Sequence, residues 1–140
     1  MRKMTILMTV LLTFVCTTCG NGNQQNTTQV NMEKGALLVY YFHGAQRCPT
    51  CRAIEENTID LLNSSFAQAQ QDGKLVFKVI DFSEPEGEAI ADRYEVAFSS
   101  LILDKDGTVI DLTDVGFRYA RNEPDTFKAN LKTKIDKLLQ

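Results

Sequence analysis

A pair of cysteines at the start of a helical pattern constrains this chain more than any other feature. The apolar run at 37–42 has the length and the β-branched and aromatic content of a buried strand. After a short polar turn, a helical pattern opens with Cys48, Pro49, Thr50 and Cys51. Cysteines three positions apart at a helix start lie on one turn, close enough to form a small-ring disulfide.

The start of a helix also favours the charged form of a thiol. Its unpaired N–H groups and the positive end of the helix dipole stabilise a thiolate, so we expect the pKa of Cys48 to be lowered. Arg47 and Arg52 add positive charge on both sides of the pair. Pro49 suits the first helical position, where a missing N–H costs little. We predict that Cys48 attacks and that Cys51, one turn further in and more shielded, resolves.

The cysteine pair has two other interpretations. A Cys-x-x-Cys pair is half of a tetrahedral zinc site. The other half would need Cys16, Cys19 or His43, but both cysteines lie in the N-terminal leader and His43 is the only histidine. A purely structural disulfide is also disfavoured, because a two-residue spacer closes a tiny loop and stabilises little. A redox dithiol without a bound metal or cofactor is therefore the favoured interpretation.

The N-terminal segment has the pattern of an export signal. Residues 1–19 combine two early basic residues with an apolar stretch at 6–15, too short for a comfortable membrane span. Residues 20–34 are polar and are expected to form a flexible linker ahead of a single domain at 35–140. The leader implies export to an oxidising compartment, the periplasm or cell envelope.

Cys19 is the candidate site of a lipid anchor. It is followed by the polar segment 20–23 and resembles the lipidated cysteine of bacterial lipoproteins. The residues at 16–18 depart from the usual Leu-Ala-Gly-type lipobox, so an uncleaved anchor and ordinary secretion remain alternatives.

The composition is that of one ordinary globular domain. The chain has 140 residues, of which 44% are hydrophobic and 24% charged, enough for a real core. The formal net charge is -3 and there is no basic patch, so nucleic acid is not an expected partner. We expect a monomer.

The hydrophobic pattern predicts alternating strands and helices. The first half of the chain is expected to form a strand at 37–42, a helix from Cys48 to about Leu62, a short helix after 63–65 and a strand at 75–80, which is mostly apolar and therefore central. A capping box at Ser83 and Glu86 begins the next helix. The expected elements after it are a strand at 101–103, a hairpin turn at 104–107, a strand at 108–112, a polar loop at 114–123 and a last helix from Pro124. The helical crossover between the first two strands gives parallel pairing, and the hairpin between the last two gives antiparallel pairing. We therefore predict a mixed four-stranded sheet with helices on both faces.

This order of elements around Cys-Pro-Thr-Cys resembles the thioredoxin superfamily over residues 35–139. The segments 94–96 and 101–107 resemble its third-strand and hairpin region. Val115 and Gly116 look like its Val-Gly before the last helix. Within the superfamily, the chain resembles exported, often lipid-anchored, bacterial proteins.

The resemblance implies a thioredoxin-like α/β fold and thiol–disulfide exchange through a mixed disulfide. Cys48 matches the attacking cysteine and Cys51 the resolving one, with Pro49 and Thr50 between them helping to set the potential. The implied partners are disulfide-containing exported proteins or a membrane thiol electron donor.

Two departures from the superfamily concern the surroundings of the dithiol. Arg47 stands where the superfamily usually has a tryptophan. Ser99 stands where a cis-proline normally faces the dithiol, and without proline we expect a trans bond there. That loop normally offers backbone to an extended peptide, so the grip on substrate is expected to differ.

A third departure concerns proton transfer. Tyr41 or Phe42 stands where thioredoxins have a buried aspartate below the dithiol. Proton transfer to Cys51 would then need another group, and Glu55 and His43 are the candidates. The alternatives are that Glu55 is only a solvated helix carboxylate and that His43 is a loop histidine bonded to backbone.

Two other classes of function are compatible with the same residues. Cys48, Cys51 and His43 offer three ligands for a soft ion such as Cu(I) within nine residues. The protein could instead keep the fold as a redox-inactive binding scaffold, which the missing proline favours and the intact cysteine pair opposes.

Overall fold

The computed structural model describes residues 35–140, so the predicted leader, linker and lipidation site at Cys19 lie outside the described residues. The elements are β1 (Leu37–His43), α1 (Pro49–Ser65), α2 (Ala67–Gln71), β2 (Leu75–Asp81), α3 (Pro85–Arg93), β3 (Ser100–Lys105), β4 (Thr108–Asp111), α4 (Thr113–Tyr119) and α5 (Pro124–Leu139). Within this part of the chain, no helix is long and apolar enough to cross a membrane.

The four strands form one mixed sheet in the order β2-β1-β3-β4. The pair β1 and β2 is parallel, whereas β1 with β3 and β3 with β4 are antiparallel. The helical crossover between β1 and β2 and the tight hairpin between β3 and β4 explain these directions. The predicted thioredoxin-like α/β fold is confirmed.

The position of β2 differs from the prediction. The strand was expected at the centre of the sheet, but among the described residues it lies at the edge, beside β1. Val79 is 40% exposed there. An apolar run predicts a strand, but it does not show how fully its faces are covered or on which sides the strand is paired. The centre is formed by β1 and β3.

The two faces of the sheet carry separate cores, because side chains alternate along each strand. We call the side that carries Leu37, Val39 and Tyr41 the α1 face; it packs against α1 and α5. We call the other side, with Tyr40 and Phe42, the α3 face; it packs against α3.

Two helices differ from the prediction. The first, α1, continues to Ser65, three residues beyond the expected end at Leu62. The second, α4, lies where a polar loop was predicted at 114–123. Gly116 disfavours a helix by propensity, but it lets α4 approach α1, since a Cβ there would lie 3.0 Å from Cδ1 of Ile54. Tertiary packing overrides local preference at this position.

The predicted capping box at the start of α3 is wrong. The N-cap is Glu84, and no side chain caps the helix. Ser83 donates its backbone N–H, at 2.9 Å, and its hydroxyl to Oδ1 of Asp81, and its hydroxyl oxygen accepts no N–H group from the helix. A carboxylate two residues away is a strong acceptor, so this local turn holds the serine side chain. Pro85 does occupy the first turn, as predicted.

Candidate functional site

Cys48 and Cys51 meet at the first turn of α1 as a disulfide pair, with their Cα atoms 5.1 Å apart. Cys48 is the N-cap residue, and its Sγ accepts a hydrogen bond of 3.1 Å from the backbone N–H of Cys51. Pro49 occupies the first helical position and Thr50 the next, half-buried. The backbone therefore already directs one N–H group at the outer sulfur.

The two cysteines differ sharply in exposure. Cys48 is exposed, whereas Cys51 is only 5% exposed. An exchange partner can therefore reach the first sulfur directly, and the second lies behind it. This asymmetry is what attack by one thiol and resolution by the other require.

Tyr41 ties the start of α1 to the central strand. Its buried hydroxyl donates a hydrogen bond of 2.7 Å to the carbonyl oxygen of Cys51. Burial raises the pKa of Tyr41, an effect that contacts with Arg47 and Ser99 partly offset. The sequence marked Tyr41 only as a replacement for an aspartate; its bond to the resolving cysteine depends on how the strand faces the helix.

Arg47 and Glu55 form an ion pair beside the dithiol, and their side chains are 24% and 20% exposed. The Arg47 guanidinium carbon also lies 5.6 Å from the centroid of the Tyr41 ring. Burial opposes the charge on Arg47, but hydrogen bonds to Glu55 and Tyr41 outweigh it and raise the pKa of Arg47. Glu55, proposed from sequence as a proton carrier for Cys51, is thus engaged by an arginine.

His43 is held at the end of β1 rather than beside the cysteines as a third ligand. Its Nδ1 lies 3.0 Å from the carbonyl oxygen of Gly44 and 4.0 Å from Oδ2 of Asp81. Hydrogen bonds from Ser83 lower the pKa of Asp81, and His43 lowers it further. Among residues 35–140, no group of three or more His, Cys, Asp or Glu side chains is placed to hold a metal ion. Cys48, Cys51 and His43, the alternative ligand set for a soft ion, are therefore not grouped there.

Ser99 lowers the pKa of the Tyr41 hydroxyl, which in turn bonds the carbonyl oxygen of Cys51. The neighbouring Phe98 is 63% exposed, the most exposed large apolar side chain of the described residues. No peptide bond in 35–140 is cis, so the bond before Ser99 is trans, as expected for a residue other than proline. Phe98 was not singled out from the sequence, where it reads as a loop residue.

Arg52 is exposed on the outer side of α1. It lines an open cavity of about 310 Å³ together with Arg47, Glu55 and Glu56. Two arginines and two glutamates line this cavity, so the arginines flanking the cysteine pair do not form a uniform basic patch.

No family model matches the chain, and no curated protein matches it either. Several solved structures do. A thioredoxin from Fasciola hepatica is 22% identical, with a TM-score of 0.48 over 79% of this chain and 88% of that one. Trxlp from Edwardsiella tarda is 20% identical, with a TM-score of 0.49 over 69% and 82%. Thioredoxin O2 from Arabidopsis thaliana, in its oxidised state, is 20% identical, with a TM-score of 0.49 over 76% and 77%. Similarity at this level concerns the fold and not the chemistry of the site.

Proposed function

We propose that the protein is a thiol–disulfide oxidoreductase that works outside the cytoplasm through Cys48 and Cys51. One observation carries the proposal: an exposed sulfur caps a 17-residue helix, with its bonded partner buried behind it. A helix of this length presents a full dipole to the outer sulfur. Such a placement favours the thiolate, which is the reactive form.

The exchange proceeds in two steps in the reducing direction. The Cys48 thiolate attacks one sulfur of a substrate disulfide, forms a mixed disulfide and releases the first substrate thiolate. Cys51 then loses its proton and attacks Sγ of Cys48, which releases the second substrate thiolate. Both substrate thiolates take up protons. Two electrons have passed to the substrate, and the Cys48–Cys51 disulfide remains.

The surroundings of the dithiol support this division of roles. The Cys51 N–H donates to Cys48 Sγ, so it also stabilises a charge on that sulfur after reduction. The bond from the Tyr41 hydroxyl to the Cys51 carbonyl holds the turn that carries the resolving sulfur. Resolution is intramolecular, and its rate depends on that position.

The proposed partners are disulfide-containing exported proteins or a membrane thiol donor, and the proposed anchor is a lipid on Cys19. The support is the leader pattern of residues 1–19 and the polar segment after it. We expect a radiolabelled fatty acid to be incorporated into the full-length protein and lost in Cys19→Ala. Labelling that survives Cys19→Ala, or no labelling of the parent, would contradict the anchor.

Trapping of the mixed disulfide tests the redox function directly. Cys51→Ser should accumulate a covalent complex with a disulfide-containing protein, because the resolving sulfur is missing. The matched variant Cys48→Ser should accumulate none, because its remaining sulfur is buried. The parent protein should reduce the same disulfide catalytically when supplied with dithiothreitol. Equal trapping by both variants would contradict the assigned roles of the two cysteines, and an inactive parent would instead favour the scaffold interpretation.

A further inference from the structure

The side chain just before the attacking cysteine is held by two neighbours and is only 24% exposed. Arg47 forms an ion pair with Glu55 and lies over the ring of Tyr41. Its Nε is buried and has no hydrogen-bond partner among the described residues. The cation is therefore held by one carboxylate and one aromatic face.

Helix geometry places that carboxylate on the same side of α1 as the dithiol. Glu55 follows Cys48 by seven residues, which is nearly two full turns and a rise of about 10 Å. Side chains of a helix lean towards its N-terminus, so the Glu55 carboxylate is directed back towards the cysteines. Arg47 reaches it from the other end, alongside the first turn.

We propose that Glu55 is a positioning residue that limits thiolate stabilisation at Cys48 by binding the charge of Arg47. This inference rests on the proposed redox function and adds its regulation: the Arg47–Glu55 pair sets the redox potential. Glu55 draws the guanidinium along the helix and offsets its charge. Without Glu55, Arg47 is a full cation one residue from the attacking sulfur.

The direction of the effect follows from the electrons and charges of the couple. Reduction adds two electrons to the disulfide, and at a pH above the thiol pKa it leaves a negative charge on Cys48. A stronger positive field stabilises that charged product and not the neutral disulfide. The unrestrained Arg47 would make the pair a stronger oxidant, so Glu55 keeps it more reducing.

Other charged groups near the start of α1 do not take over the effect of the Arg47–Glu55 pair on the Cys48 thiolate. Arg52 and Glu56 line the same cavity with opposite signs. Neither belongs to an ion pair within the described residues. At the ends of β1 and β2, Nδ1 of His43 lies 4.0 Å from Oδ2 of Asp81. The Tyr41 hydroxyl beside Arg47 has a pKa raised by burial and stays neutral below alkaline pH.

Glu55→Gln in the full chain tests the inference, because it removes the charge and keeps the shape. We expect the Cys48 pKa, measured by thiolate absorbance after reduction, to fall by about one pH unit. At a pH above both values, the equilibrium constant for reduction by glutathione should rise about tenfold, which corresponds to about 30 mV. Arg47→Gln should raise the Cys48 pKa, in the opposite direction.

The matched control is Glu56→Gln, which removes the same charge one position further along the helix. Its shift should be well under half that of Glu55→Gln. In the double variant Arg47→Gln with Glu55→Gln, the second change should lose most of its effect, because the cation it releases is absent. This non-additivity separates control through Arg47 from a direct field of Glu55.

The results that would overturn this inference differ from the result that would contradict the proposed function. A Glu55→Gln protein whose pKa and potential match those of Glu56→Gln overturns the inference and leaves the proposed function intact. Full additivity in the double variant also overturns it. Absence of exchange by the parent protein would instead contradict the proposed function, while the Cys48 pKa of each variant would still report on the ion pair.

Discussion

Tyr40 and Tyr41 are neighbours in β1, yet their side chains serve opposite faces of the sheet. On the α1 face, the Tyr41 hydroxyl bonds the carbonyl of Cys51 at the dithiol. On the α3 face, the Tyr40 ring packs against Tyr94 with centroids 5.1 Å apart. The Tyr94 hydroxyl donates a hydrogen bond of 2.7 Å to Oδ2 of the buried Asp104.

The comparison separates polar groups that position the reactive turn from polar groups that hold the fold. Asp104 also accepts a 2.9 Å bond from the N–H of Gly107, so the α3 face links the end of α3 to the β3–β4 hairpin. None of these three bonded groups belongs to the dithiol turn. We therefore expect changes on the α3 face to alter stability alone, and changes on the α1 face to alter redox behaviour as well.

The largest loss of stability should come from Gly87→Ala on the α3 face. A Cβ at Gly87 would lie 1.9 Å from the carbonyl oxygen of Asp81, which is backbone and cannot easily move. We expect a loss of about 3 kcal/mol in the free energy of unfolding, measured by urea denaturation, with the Cys48–Cys51 potential unchanged.

Gly116→Ala is its matched control on the α1 face. There the nearest atom, at 3.0 Å, is the Cδ1 end of Ile54, a flexible side chain. The loss should be clearly smaller than for Gly87→Ala. A gain in stability for Gly87→Ala, as expected for an unhindered helix position, would contradict the packing of α3 against the end of β2.

Tyr94→Phe should cost about 2 kcal/mol, because it leaves an oxygen of the buried Asp104 without its donor. Urea denaturation measures the loss, and the potential should stay that of the parent protein. Tyr119→Phe, at a half-buried position of α4, is the control and should cost less. A shift in potential for Tyr94→Phe would break the separation between the two faces.

The dithiol turn, the individual strands and the hairpin could be predicted from local patterns, because each depends on residues close in sequence. The apolar run before Cys48, the Cys-Pro-Thr-Cys spacing and the Asp-Gly turn of the hairpin each specify a local structure. The fold class followed from their order.

What the sequence did not reveal depends on distant partners. The edge position of β2 reflects which strands pair, and α4 forms because Gly116 fits against Ile54. The Arg47–Glu55 pair and the bond from Tyr41 require the helix and the strand to be placed together. No local pattern reports such contacts.

Tyr41→Phe and Tyr40→Phe compare the two faces at adjacent positions with the same chemical change. Tyr41→Phe removes the hydrogen bond to the carbonyl of Cys51 and should cost about 1 kcal/mol of stability. Because that hydrogen bond holds the position of Cys51, its loss should also slow the resolving step about fivefold. Rapid-mixing kinetics of mixed-disulfide decay measure this step. Tyr40→Phe should leave that rate unchanged. Equal rates in both variants would show that the Tyr41 bond is only structural.

The smallest expected effect is a loss of stability at high pH. Burial raises the pKa of Tyr40, Tyr41 and Tyr94 in the folded chain, the last also through Asp104. Folding favours their neutral forms, so this stability is fully present below the unfolded value near 10 and declines as pH rises above it. Urea denaturation between about pH 8 and 11 should show the decline, less steeply in Tyr94→Phe. A flat profile would contradict the burial of these hydroxyls.

The acidity of the exposed sulfur bears most directly on the whole account. Thiolate absorbance of reduced Cys51→Ser, followed against pH, reports Cys48 alone among the cysteines of residues 35–140. We predict a pKa clearly below the ordinary thiol value of about 8.5, because the helix end and the nearby N–H group favour the charged form. A Cys48 pKa at or above that value would contradict the account.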